Sequence, residues 1–290
     1  MNKFKPVLKF VGVYLLVIVA LFIFCIIAIV LYLVFSHGKT GELQNAIMYM
    51  SSGPIAVLLN DVLLFVIPLG VAWKLGLLDL STEFRNGRDT FSKMKLPILV
   101  GVLWFFADAM LEDLLAIEMP EELQKTFKVL MHSPVGVFGI CVGAPVLEEL
   151  LMRTAILGLM LRGGVKPWIA ITISALAFGL MHMNMAQFVF AGIGGLMLGF
   201  VYYKTNNVFA TIIIHAIHNS WVTFLGLIME GLEYTPDSSD EGLVVKLISV
   251  SLMVAFASAS ILIMKRFISR YPQPQFVENE EPDEPVMEEC

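Results

Sequence analysis

Long apolar runs alternate with short polar breaks along the whole chain. Phe10–Phe35 is almost unbroken apolar sequence. Further runs follow at Pro54–Trp73, Leu96–Ile117, Ser133–Leu161, Pro167–Met183, Ala186–Tyr203, Val208–Met229 and Val244–Met264. Each is close to the ~20 residues that a helix needs to cross a bilayer, so the pattern predicts an all-α, polytopic integral membrane protein with about eight transmembrane helices. The first run is longer than the core of a secretory signal and has no small-residue cleavage site, so it reads as an uncleaved anchor. The expected organisation is three helices with their loops over residues 1–132, a core over 133–229, a last helix over 230–270 and an acidic tail over 271–290. The tail is rich in Pro and Glu and has too little apolar surface to fold, so disorder is expected there.

Composition agrees with this pattern. Of 290 residues, 58% are hydrophobic and only 15% charged, and the mean hydropathy of +0.80 lies outside the range of soluble domains. Much of the net charge of -6 comes from the tail, and no nucleic-acid partner is expected; the partner is the lipid bilayer. Cys25, Cys141 and Cys290 give no disulfide framework. Placing the N-terminus in the cytoplasm puts most basic loop residues inside, among them Lys74, Arg85, Arg88, Arg162, Lys166 and Arg266. It leaves acidic loops outside, as the positive-inside rule expects. Both termini are then cytoplasmic.

Charge inside the apolar runs changes the picture most. The fourth run carries Glu148, Glu149 and Arg153, and each ionised group near mid-bilayer costs at least about 2.5 kcal/mol unless it is paired or wet. Glu149 and Arg153 stand four apart with the acid first, the favourable order for a same-face pair. Glu148 points about 100° away from Glu149 and has no partner in its own helix. Phe178 and His182 share a face of the fifth run; His215 and Asn219 share one on the seventh, with His218 on the flank. With a rise of 1.5 Å per residue, Glu148, His182 and Asn219 should lie about 20 Å from the cytoplasmic ends of their helices, and His215 one turn shallower. A common level implies one shared site.

Glu148 and His182 suit the holding and deprotonation of a water, and His215 and Asn219 suit hydrogen bonding to an oxyanion. That makes a hydrolase for an acyl bond, most simply a peptide bond. No serine sits in an obvious nucleophile motif. The alternative is a zinc set of Glu148, His182 and His215, with the metal activating the water. Spacing alone does not separate the two. Asp108, in the third run, is deep enough to line the cavity or pair with Arg153. Ala191, Gly195 and Gly199 recur every four residues and read as close helix packing.

Glu148-Glu149-x-x-x-Arg153, Phe178-x-x-x-His182 and His215-x-x-x-Asn219 resemble the three motifs of the CAAX prenyl endopeptidase and bacteriocin-processing (CPBP, or "Abi") intramembrane proteases. The likeness covers about Ser133 to Trp221. It implies an endopeptidase acting on a membrane-associated protein or peptide. Glu148 and His182 would activate water, His215 and Asn219 would stabilise the oxyanion, and Glu149 and Arg153 would orient the site. It also favours a metal-free, glutamate-dependent mechanism over zinc. The basic loops and acidic tail are more like a bacterial member, in the cell membrane, for which prenylated substrates are not expected. The rival readings are a non-enzymatic scaffold or bacteriocin-immunity protein that keeps the motifs for structure, and a transporter with a proton relay. The transporter should show inverted repeats, and none is seen.

Overall fold

The structure is a computed structural model that describes residues 3–35, 59, 61–80, 94–231 and 243–271. Among these, all regular structure is helical, as apolar spans require when lipid leaves the backbone no other hydrogen-bond partners. The helices are α1 (Lys5–Phe35), α2 (Val62–Lys74), α3 (Lys95–Leu115), α4 (Glu121–Met131), α5 (Pro134–Arg162), α6 (Pro167–Met181), α7 (Met185–Thr205), α8 (Val208–Gly231) and α9 (Leu243–Arg270).

Five of them, α1, α5, α7, α8 and α9, are long and apolar enough to cross a membrane. The expected count of eight is therefore met only in part. Among the described residues α2 and α6 are shorter apolar helices. α3 is long enough but carries Lys95, Asp108, Glu112 and Asp113. The segment from 118 to 132, read as an outer loop, instead contains the amphipathic α4. Most of the first half of the second run, including Asn60, lies outside the described residues, as do Arg85, Arg88 and the tail beyond Tyr271.

α5 is not a uniform α-helix. Ser133 caps its start by accepting from Gly136 N, with Pro134 in the first turn. Two stretches then widen to π geometry, Gly139–Gly143 and Leu150–Leu157, on either side of Ala144–Glu149. Pro145 accounts for the first: its missing N–H and its ring are incompatible with a regular bond to the carbonyl four residues back, and a π turn absorbs the misfit.

Two packed cores flank the carboxylates of α5. One joins α1 and α2 to α5, through residues such as Phe10, Leu69, Leu157 and Met160. The other joins α3, α7, α8 and α9, through Val100, Leu198, Ile214 and Phe267. Small residues set the closest approaches. A Cβ on Gly101 would fall 2.6 Å from Ile214, and one on Gly179 would fall 2.5 Å from the carbonyl oxygen of Phe188. Gly195 and Gly199 press on Ala175 and Ile171, so the small-residue repeat of α7 is a packing face, as expected. The turn between α6 and α7 is tight. Met183 takes φ 56°, and the Asn184 side chain caps α7 by accepting from Gln187 N at 3.0 Å.

Candidate active site

The buried pair predicted from spacing is present. Arg153 Nε donates to Glu149 Oε2 at 2.8 Å and Nη2 to Oε1 at 3.4 Å, and both side chains are fully buried. The remaining guanidinium group is also held. Nη1 donates to Ser174 Oγ at 3.2 Å, and the cation lies 5.2 Å from the centre of the Phe178 ring, close enough for a cation–π contact.

His215 joins this pair to Glu148. Its Nδ1 is 3.2 Å from Glu149 Oε1, and its Nε2 is 3.8 Å from Glu148 Oε2. A carboxylate oxygen that takes hydrogen bonds from Arg153 can only accept, so the proton of this contact belongs to Nδ1. His215 is buried, while the Glu148 side chain is 15% exposed. Glu148 thus finds its partner in another helix, as its lone position on α5 implied, and it is the open edge of the cluster.

His182 stands at the end of α6, just past its last helical residue. Its Nδ1 is 2.8 Å from Phe178 O. A carbonyl only accepts, so Nδ1 carries the proton and Nε2 is left as a free lone pair. His182 and His215 meet the same Phe178 ring edge-on, at 5.1 and 5.7 Å between centres. No hydrogen bond joins His182 to Glu148 directly. Asn219 Nδ2 donates to Ile140 O at 3.0 Å, which leaves its second amide hydrogen for another acceptor. Between α5 and α8 runs an open apolar groove of about 500 Å³ lined by residues that include Cys141, Ile217, Ser220 and Trp221.

The geometry bears on four of the readings made from spacing. His215, expected one turn shallower than Glu148, lies beside it, with Nε2 3.8 Å from Oε2. The π turns of α5 are wider and rise less per residue than the α geometry behind the depth count, so Glu148 comes to rest beside His215. Asp108 does not pair with Arg153. It is 6% exposed, its Oδ2 lies near Gly194 of α7, and its Oδ1 has no hydrogen-bond partner. His218, on the flank of the His215–Asn219 face, stacks on Phe105 at 4.1 Å and faces α3, away from the carboxylates that His215 meets. Glu148, His182 and His215 do not converge as a set of metal donors: among the described residues no three His, Cys, Asp or Glu side chains do. No step of the chemistry below is therefore routed through a metal.

Ser174 was missed. A hydroxyl in an apolar helix carries little signal by itself. The usable signal was its four-residue spacing from Phe178 and His182, which puts all three on one face of α6.

Residues 131–221 match the family of type II CAAX prenyl endopeptidase, Rce1-like, proteins. The matched stretch holds Glu148, Glu149, Arg153, His182, His215 and Asn219, and it carries the three motifs that resemble the CPBP proteases. The likeness is to a CAAX-type protease family and covers 91 of the 290 residues. No curated protein and no solved structure matches the chain.

Proposed function

Starting from the type II CAAX prenyl endopeptidase match of residues 131–221, we propose that this protein hydrolyses a peptide bond within the membrane, with Glu148 as the general base. The observation that carries this reading is the contact of Glu148 Oε2 with His215 Nε2 at 3.8 Å, at the one partly open carboxylate of an otherwise sealed cluster. At that distance the two groups make no direct hydrogen bond, so Glu148 keeps lone pairs free for a water.

In this reading Glu148 takes a proton from a water as its oxygen attacks the scissile carbonyl carbon. His182, with Nε2 free, accepts the water's other hydrogen and orients it. The carbonyl becomes an oxyanion, which accepts hydrogen bonds from Asn219 Nδ2–H and from His215 when Nε2 carries a proton. Glu148 then returns its proton to the leaving amine as the C–N bond breaks. Glu149 and Arg153 touch no reacting atom and act as positioning residues. The groove between α5 and α8 has room for the apolar side chains of an extended peptide. The rest of the reading places the chain in a bacterial cell membrane with both termini in the cytoplasm, and takes the metal-free route over zinc.

The test compares the termini of membrane proteins and secreted peptides in cells carrying wild-type protein or Glu148→Gln at matched expression. New termini made only by wild type support the reading and name substrates. Identical sets, with the cellular phenotype retained by the variant, would replace it with the scaffold reading.

A further inference from the structure

The hydrogen bonds that fix His215 do not end at Arg153. Arg153 Nη1 donates to Ser174 Oγ at 3.2 Å, and Ser174 Oγ donates its own hydrogen to Met152 O at 3.0 Å. That carbonyl belongs to the π stretch of α5. The hydroxyl hydrogen is committed to Met152, so the oxygen must present a lone pair to Arg153. Ser174, Arg153 and Glu149 are all fully buried, so these contacts are shielded from bulk water. Ser174 and Phe178, one turn apart on α6, hold the guanidinium at its end and over its face. Arg153 can therefore aim Nε and Nη2 at Glu149 in one way, and Glu149 Oε1 is left facing His215 Nδ1.

We propose that Ser174 is a positioning residue for His215, acting through Arg153 and Glu149. The ordered chain is Met152 O, Ser174 Oγ, Arg153, Glu149, His215 Nδ1. Its effect is to keep His215 Nε2 turned to Glu148. As an account of catalysis the proposal rests on the proteolytic reading. As an account of where the imidazole points it does not.

Ser260 supplies the control. It is equally buried, and its hydroxyl donates to Val100 O at 3.2 Å between α9 and α3, away from the chain of contacts. The readout is the His215 Nδ1–H proton of the purified full-length protein in nanodiscs, followed by NMR and assigned by its absence in His215→Gln. In wild type it should resonate downfield and exchange slowly. Ser174→Ala should speed its exchange about tenfold or more, and Ser260→Ala should leave it unchanged. With a substrate named by the terminus comparison, Ser174→Ala should lower kcat about tenfold at unchanged KM, again unlike Ser260→Ala. If Ser174→Ala does not fold, Ser174→Cys, nearly the same size but a weaker acceptor, should show an intermediate exchange rate. A folded Ser174 variant with wild-type exchange, or equal effects from Ser174→Ala and Ser260→Ala, overturns the proposal. If wild type cleaves nothing, the proteolytic reading fails, and the proton signal still decides the role of Ser174.

Discussion

Glu149 and His215 are brought together from helices far apart in sequence, with Nδ1 of the imidazole 3.2 Å from Oε1 of the carboxylate. Because the same carboxylate is bound to Arg153, His215 is held at one nitrogen and open at the other. Glu148 occupies the open side.

Replacing Glu148 by Gln should therefore stop cleavage while sparing the fold. Among the described residues the side chain makes no ion pair except the 3.8 Å contact with His215, and loss of a positioned general base typically costs about 10²–10⁴ in rate. Turnover by purified Glu148→Gln at wild-type rate would remove Glu148 from the mechanism.

Arg153→Ala should behave differently. It leaves Glu149 as a buried carboxylate without its cation, a change that typically costs about 3–5 kcal/mol. Thermal unfolding in detergent should show a large loss. Combining Arg153→Met with Glu149→Leu should recover much of that stability without activity, because the uncompensated charge is gone. A double variant no more stable than Arg153→Ala would contradict the ion-pair account.

The two histidines of α8 should separate cleanly. His218 stacks on Phe105, so His218→Phe keeps a ring in that stack and should retain activity. His215→Phe loses both carboxylate contacts and should abolish it. Equal loss from the two would mean that the proposed site uses both.

A pH effect is expected at the end of α8, beyond its membrane span. Glu230 meets Lys128 of α4 at 2.7 Å and His132 at 3.5 Å. The hydrogen bond from Lys128, followed by the nearby charges of Lys128 and His132, holds the Glu230 carboxyl below its ordinary value of 4.5. A depressed folded value means that the stabilisation is full above the unfolded value and disappears as pH falls through the folded one. The melting-temperature difference between wild type and Glu230→Gln should be present at neutral pH, shrink with added salt, and vanish in acid. A difference that persists in acid, below the folded value, would not be electrostatic.

Metal dependence has its own outcome. The site chemistry proposed above predicts that chelator-dialysed protein cleaves as fast as untreated protein. Loss of turnover restored by zinc would overturn the metal-free route and require a rearranged donor set.

Much of the architecture was written into the apolar runs. Bilayer thickness ties span length to residue number, so α1, α5, α7, α8 and α9 could be read directly from the sequence. The Glu149–Arg153 pair could be read too, because both residues lie on one helix and four-residue spacing is a local rule. Three motifs within residues 131–221 pointed to one family, and that stretch is the one that matches. Local rules did not extend to contacts between helices. The motif His215-x-x-x-Asn219 already singled out His215, but the isolation of Asp108 from Arg153 and the pairing of Glu148 with His215 rather than directly with His182 depend on how α3, α6 and α8 rotate and pack. The widened turns on both sides of Glu148–Glu149 shift the register of α5 against its neighbours, and no periodicity count contains them. Ser174 shows the same division: its hydroxyl acquires a role only when packing of α6 on α5 brings it to the free end of Arg153.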